Sequence, residues 1–259
     1  MNRDEVLALF DREMRLHPSE GMGYRVERVG TVVRLIGPHE HCIVYARPPP
    51  EEAARVVAEQ VADLRPLGQT VEWKVYSHDQ PPELPKLLER AGFVVKPHET
   101  LMVFDLQENL PPSPMPVGLE FRRVLNESAY AELEAVDTAA FGSVDPALHH
   151  HIRGRLGDPH LGVFVAYVDG KPVSGGRVEV EAGKSFAGLF GGGTLPEFRA
   201  RGIYHQLVRV RAEFARGFGV RYLGVEAIDT TSRPILERVG FTPLAGVDGW
   251  VLKPESTGA

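Results

Sequence analysis

The sequence predicts an α/β (α+β) protein of two mixed-sheet domains, the N-terminal one smaller and degenerate. Three observations lead there. Helical and strand periodicities alternate along the chain. Four prolines (Pro111, Pro112, Pro114 and Pro116) crowd residues 108–116 and favour an extended, stiff connection. Finally, Leu87-Leu88-Glu89-Arg90-Ala91-Gly92-Phe93 recurs as Ile235-Leu236-Glu237-Arg238-Val239-Gly240-Phe241. The expected domains are therefore 1–107 and 117–259, joined by the linker.

Composition narrows the function. The 259 residues are 25% charged and 43% hydrophobic, as in an ordinary globular protein. A net charge of −6 argues against a general nucleic-acid binder. One cysteine, Cys42, excludes an intrachain disulfide and fits a reducing, cytoplasmic setting. Beside His41, Ile43 and Val44 it reads as a buried structural thiol. The start, MNRDEVLALFDREMRL, is charged and helical in pattern rather than a signal peptide. No apolar run is long enough for a membrane span.

Residues 4–16 carry Val6, Leu7, Phe10, Met14 and Leu16, an amphipathic helix ending before Pro18. After a polar turn at 18–23, strands are expected at 24–36, broken near Gly30, and at 41–46. Pro48-Pro49-Pro50-Glu51-Glu52 opens a helix to about Leu64. A strand at 70–76, a helix at 82–91 stopped by Gly92, and strands at 93–95 and 101–106 complete the first half. The second restarts with a strand at 119–124. Asn126 caps a helix over 127–140, and a second helix covers 146–156. Strands at 163–168 and 172–180 join at Asp169-Gly170, a strong hairpin signal. A strand at 186–190, a helix from 203, a strand at 222–227, a helix at 232–239 and a last hairpin turning at 246–249 follow.

Chemistry concentrates in Gly191–Ala215. Ile203, Leu207, Val210 and Phe214 form the apolar stripe of a core-facing helix. Before it stands Arg199-Ala200-Arg201-Gly202. Glycine lets backbone N–H groups approach a ligand, and a helix N-terminus offers unpaired donors with partial positive charge. Two arginines suit phosphate oxygens. The stretch reads as an anion cradle for a pyrophosphate; an arginine cluster on an ordinary turn is the plainer alternative.

Pro196-Glu197-Phe198-Arg199-Ala200-Arg201-Gly202-Ile203 resembles the acyl-CoA-binding motif of the GNAT superfamily of N-acyltransferases, Arg/Gln-x-x-Gly-x-Gly/Ala. Arg199 and Gly202 match, and Tyr204 stands at the last small position. The element order from 119 onward is similar to a complete domain of that family. The resemblance implies acetyl-CoA as cosubstrate and a small-molecule or peptide amine as acceptor, with no nucleic-acid or membrane partner. It implies cofactor contacts from Leu195, Arg199, Ala200, Arg201, Gly202, Ile203, Tyr204, Asp229 and Ser232. It also implies that the strands at 186–193 and 222–227 splay apart to admit the pantetheine arm. Gly191-Gly192-Gly193 would suit a bulge there or a plain turn. Alternatives within and beyond the family are an acyltransferase of mycothiol-synthase type and an acyl-CoA-sensing module. A homodimer through the N-terminal domain is a further expectation.

Glu226, near the end of its strand, is the candidate base, unless it pairs with an arginine such as Arg177. Tyr204 is the candidate acid, with His205 beside it, because Leu236 occupies the place where many relatives carry a tyrosine. Asp229 and Ser232 could instead cap a helix. His149, His150 and His151 are consecutive on a helix and cannot converge on one metal, so they read as a polar face. The recurring Gly-Phe ending suggests that the closing helix-strand unit is present twice. The first copy has Arg47-Pro48-Pro49-Pro50-Glu51-Glu52 where a cradle would lie, and prolines lack the N–H donors a phosphate needs.

Overall fold

The computed structural model describes residues 1–20 and 23–254. Gly21 and Met22 of the expected polar turn, and the last residues of the second expected domain, lie outside them. Among the described residues there are seven α-helices and twelve strands, arranged in mixed parallel and antiparallel sheet. No helix among them is long and apolar enough to cross a membrane.

In chain order the elements are α1 (Arg3–Phe10), prolonged by a π-helical turn (Asp11–Leu16), then β1 (Arg25–Val29), β2 (Val32–Ile36) and β3 (Glu40–Ala46). Next come α2 (Ala53–Leu64), β4 (Thr70–Tyr76), α3 (Leu84–Arg90), β5 (Val94–Val95) and β6 (Glu99–Asp105). The later elements are β7 (Leu119–Arg123), α4 (Glu127–Phe141), α5 (Pro146–Arg153), β8 (Leu161–Val168), β9 (Lys171–Val180) and β10 (Phe186–Thr194). The series ends with α6 (Ile203–Arg216), β11 (Tyr222–Ile228), α7 (Arg233–Val239) and β12 (Thr242–Leu252).

Local chemistry accounts for the punctuation. Gly30, with φ at 58°, turns β1 into β2. Asp169 and Gly170 both take positive φ, 49° and 80°, the signature of a two-residue primed turn between β8 and β9. Asn126 accepts the Ala129 N–H at 3.0 Å, capping α4. Asp145 caps α5, with Pro146 at the first helical position. One expectation fails: residues 242–252 form a single strand, not a hairpin turning at 246–249. Gly246 and Gly249 serve close packing instead. A Cβ on Gly246 would stand 2.9 Å from the His98 ring, and one on Gly249 2.5 Å from a Glu72 oxygen.

The chain divides into two compact units that are interleaved in sequence. The first comprises Met1–Met102, Glu226–Pro234 and the stretch from Pro243; the second comprises Val103–Val225 and Ile235–Thr242. β6 and β11 are thus each shared between units. In the first unit the strand order is β1-β2-β3-β4-β12, with β5 also on β12. β3 and β4 are parallel, and the other pairs are antiparallel. Its core gathers Ile43, Val57, Leu64, Trp73, Leu88 and Phe93. Cys42, the neighbour of Ile43 on β3, is also buried, and desolvation pushes its thiol pKa far up.

The second unit repeats that pattern as β7-β8-β9-β10-β11, with β10 and β11 parallel. Neighbouring residues on a strand face opposite ways. Val165 of β8 packs with Tyr130, Leu133 and Ile152 of α4 and α5. Ala166 packs with Val173, Leu195 and Ile203, under α6.

Candidate active site

β10 is held by β9 along its length but by β11 only at Phe186–Tyr222, Ala187–Leu223 and Gly188–Gly224. Beyond Gly188 its other edge has no recorded strand partner. The ladder with β9 slips between Phe190 and Gly193, and Gly191 has φ of 56°. The glycine triplet is therefore a bulge on an open strand edge, where side chains would block a close approach.

From β10 the chain enters one short 3-10 turn, Pro196–Phe198. Leu195 gives its N–H to the Val173 carbonyl at 2.9 Å and its side chain to the core. Ala200 (φ 60°) and Gly202 (φ 80°) then take left-handed conformations. No side chain caps α6. Among the described residues, the amides of Ala200, Gly202, Ile203, Tyr204 and His205 make no hydrogen bond to another backbone group, while that of Arg201 closes the turn at Arg199–Ala200. The next to bond is Gln206, whose N–H reaches the Gly202 carbonyl at 3.1 Å. Donors left open at the start of a fourteen-residue helix carry the partial positive charge of its dipole, which suits an anion.

The flanking side chains divide the work. Arg199 is structural: its guanidinium donates to the carbonyls of Thr194 at 3.0 Å and Ala140 at 3.2 Å. Arg201 is exposed, with its guanidinium stacked over the Phe198 ring at 5.0 Å. Tyr204 turns back onto the bulge. A Cβ on Gly192 would meet its ring at 2.9 Å and its hydroxyl at 3.1 Å. Behind it lies Arg211, 1% exposed, which donates to the carbonyls of Leu207 and Arg177. The proline-rich segment is strapped to the same helix. Gln206 donates to the carbonyls of Ser113 (3.0 Å) and Pro114 (3.3 Å), and Arg209 to that of Pro111 (3.1 Å).

The remaining expected residues belong to the first unit. Glu226 pairs there with Lys74, not Arg177, and accepts the Tyr76 hydroxyl at 2.6 Å. Burial alone would raise its pKa, but the Lys74 ammonium and the two hydrogen bonds hold it below the ordinary carboxylate value. Asp229 accepts from Thr100 at 2.6 Å and Arg233 at 3.0 Å, and Ser232 reaches the Ile228 carbonyl at 3.5 Å. All three thus have partners of their own. The structure brings Leu195 and Arg199–Tyr204 together in one unit and assigns Glu226, Asp229 and Ser232 to the other.

A second polar group on the opposite face of β9 escaped sequence reasoning. Asp137 of α4 is 9% exposed, and its Oδ1 is buried without a hydrogen-bond partner. Its Oδ2 lies 3.7 Å from His149 Nε2, and His149 Nδ1 lies 3.0 Å from the Tyr130 hydroxyl. Desolvation, helped by Glu134 and opposed by Arg177, pushes the Asp137 carboxyl up to about 7. His149 is lowered by burial. The histidine run is therefore not uniformly a polar face, because His149 points inward. Among the described residues no group of His, Cys, Asp and Glu is arranged to hold a metal. One signal was available: Leu133, Asp137 and Phe141 recur every fourth residue along α4, which places a carboxylate within an apolar stripe.

The first unit contains a parallel pair like β10–β11, and there the opening is filled. β3 and β4 pair from Glu40–Thr70 to Ile43–Trp73, after which the recorded pairing stops. Arg15, 2% exposed, donates Nε to the Val44 carbonyl at 3.0 Å. It also binds Asp11 (2.7 Å) and Asp79 (2.5 Å) and stacks 3.9 Å over the Tyr76 ring.

Residues 126–241 match the sequence model of the acetyltransferase (GNAT) family. Among solved structures, a GCN5-related N-acetyltransferase from Kribbella flavida is 16% identical, with a TM-score of 0.70 over 96% of this chain and 93% of that one. Another from Sphaerobacter thermophilus is 16% identical, with a TM-score of 0.63 over 96% and 84%. A tandem GNAT protein from the clavulanic acid biosynthesis pathway is 14% identical, with a TM-score of 0.61 over 99% and 97%. A comparison with curated proteins finds no match.

Proposed function

Residues 126–241 form a domain of the acetyltransferase (GNAT) family, and from that premise we propose that the chain transfers an acetyl group from acetyl-CoA to a primary amine of a small molecule or peptide. The observation that carries the reading is the set of amides at Ala200 and Gly202–His205, at the start of α6, that make no backbone hydrogen bond. Those amides and Arg201 would hold the pyrophosphate. The free edge of β10 beyond Gly188 would pair with the pantetheine arm. Bound there, acetyl-CoA supplies an activated acyl group.

The protein's own part is to orient, polarise and move protons. Amides at the bulge are suited to polarise a carbonyl oxygen. Tyr204, on the bulge and beside the Arg211 guanidinium, is the proposed acid for the leaving sulfur. Leu236 is fully buried and has no proton to give. Glu226 is the expected base, but its ion pair with Lys74 makes it a weak proton acceptor.

The first half is proposed as a degenerate copy of the same domain, bounded near the proline segment. The duplicated helix ends support this. Gly92 N–H and Phe93 N–H bond to the carbonyls of Glu89 and Leu88, and Gly240 N–H and Phe241 N–H to those of Glu237 and Leu236, all at 3.0 Å. Arg15, lodged at the opening of β3 from β4, leaves no room there for a pantetheine arm.

Calorimetry with acetyl-CoA tests the site. Micromolar binding is expected, weakened about tenfold or more by Arg201→Glu, which sets a like charge against the phosphates. Absence of binding, or binding indifferent to that change, overturns the reading.

A further inference from the structure

We propose that Asp137, flanked by His149, is the group that takes the proton from the acceptor amine. The inference rests on the acyltransferase reading and names the part of the site that activates the acceptor.

Placement comes first. Helix residues four apart share a face. Leu133 lies 2.3 Å from where a Cβ of Gly175 would stand, and Phe141 and Ala140 lie 2.8 and 3.0 Å from that of Gly193. Asp137 sits one turn from Leu133 and one from Phe141, so it overlies the stretch of β9–β10 that contains the bulge. Arg177 of β9 closes the group from below. Its Nη1 stands 3.2 Å from the Cβ position of Gly191, and its guanidinium stacks on Phe190 at 4.9 Å. The carboxylate therefore lies against the strand segment whose outer edge is open.

Chemistry comes second. A carboxyl oxygen buried without a donor is costly unless a ligand supplies one. Oδ1 of Asp137 is such an oxygen, and an ammonium supplies both the donor and the opposite charge. The groups facing Asp137 are Tyr130 and Glu134 on α4, His149 on α5, and Arg177 on β9. Arg177 is cationic, yet desolvation prevails and the carboxyl is pushed up to about 7. That value suits a general base working near neutral pH.

The step balances as follows. The ammonium nitrogen loses two protons. Asp137 Oδ1 takes the first and passes it to solvent. The freed lone pair forms the C–N bond to the acyl carbon while the C–S bond breaks, and its electron pair stays on sulfur. Tyr204 gives its hydroxyl proton to the sulfur, and the second proton, leaving nitrogen as the amide forms, returns through solvent to the Tyr204 oxygen, so that one proton is released overall.

The test uses the full chain with three primary amines (butylamine, glycinamide and spermidine), acetyl-CoA, and thiol release as readout. Alongside it runs an NMR titration of 13C-labelled aspartate carboxyls, which needs no acceptor. One aspartate should titrate near pH 7, and Asp137→Asn should abolish that resonance. The same substitution should lower kcat/KM about a hundredfold or more and remove the acidic limb of its pH profile. Acetyl-CoA affinity should not change. Glu134→Gln should move the NMR midpoint and the acidic limb together to lower pH, and Arg177→Gln should move both to higher pH. These paired shifts remain decisive if Asp137→Asn does not fold. Transfer to none of the amines, an acidic limb that stays put while the midpoint moves, or full activity in Asp137→Asn overturns the proposal. Failure of the wild-type chain to bind acetyl-CoA strikes the acyltransferase reading instead.

Discussion

Arg15 donates its Nε to the carbonyl of Val44 across 3.0 Å, at the point where β3 has parted from β4. A guanidinium thus takes a backbone acceptor that the open strand would otherwise leave unpaired. Two carboxylates and an aromatic face complete its shell. Burial would lower its pKa, but Tyr76, Asp79 and Asp11 together raise it, so the charge is permanent.

Arg15→Ala should be among the most destabilising changes in the first unit. It strands Asp79, whose side chain is 6% exposed, beside an empty space. Breaking a buried pair from one side costs about 3–5 kcal/mol. Urea unfolding would measure it, and acetyl-CoA binding by the folded fraction should be unchanged.

Glu226 makes stability depend on acid. Its folded-state pKa lies below the ordinary carboxylate value, so its stabilisation is complete above that value and lost as pH falls through the folded one. Glu226→Gln should flatten the stability profile in the acid range. At neutral pH it should also cost about 3 kcal/mol, because Lys74 loses its counter-charge. Thermal melts across pH would show both effects.

Asp137 works with the opposite sign. Its folded pKa, pushed up to about 7, exceeds the ordinary carboxyl value of 3.8. The stability it contributes is full below the lower number and disappears as pH rises through the higher one. Asp137→Asn should therefore gain on the wild type at pH 8, by roughly 1–3 kcal/mol, and match it near pH 4. A gain in stability with a loss of turnover would mark a group retained for function.

The two glycine caps should respond unequally. Gly92 and Gly240 both have strongly positive φ, 93° and 103°. Alanine at either should cost about 1 kcal/mol in backbone strain. A Cβ at Gly92 finds its nearest neighbour 3.7 Å away on Leu252, whereas one at Gly240 meets Pro111 at 3.3 Å and Phe104 at 3.4 Å. Gly240→Ala should be the more damaging by chemical denaturation.

Features set by near neighbours in sequence were readable. The Asp169-Gly170 turn, the Asn126 cap and the strand-turn-helix of β10 and α6 depend on residues a few positions apart, and pattern finds them. Gly246 and Gly249 misled for the same reason. Glycines in sequence suggest a turn, but what required them was the bulk of His98 and Glu72, distant in the chain. Asp137 and Arg15 illustrate the limit. Each looks like an ordinary charged residue on an amphipathic helix, and its meaning comes from partners such as Arg177 and Asp79, which local periodicity cannot supply. Glu226 stood out as a lone acid on a strand, but its partner Lys74 is 152 residues away.

The pairing of β12 with β4, Val247–Leu252 against Tyr76–Val71, bears on biosynthesis. A chain emerging from the ribosome exposes β4 long before the strand that covers its edge is made. The first unit must wait for residues 243–252 to be translated before it can close, with one side of β4 open to stray partners meanwhile. Proofreading by chaperones should matter most in that interval, and a ribosome stalled before residue 243 would hold a nascent chain that is protease-sensitive throughout its first hundred residues.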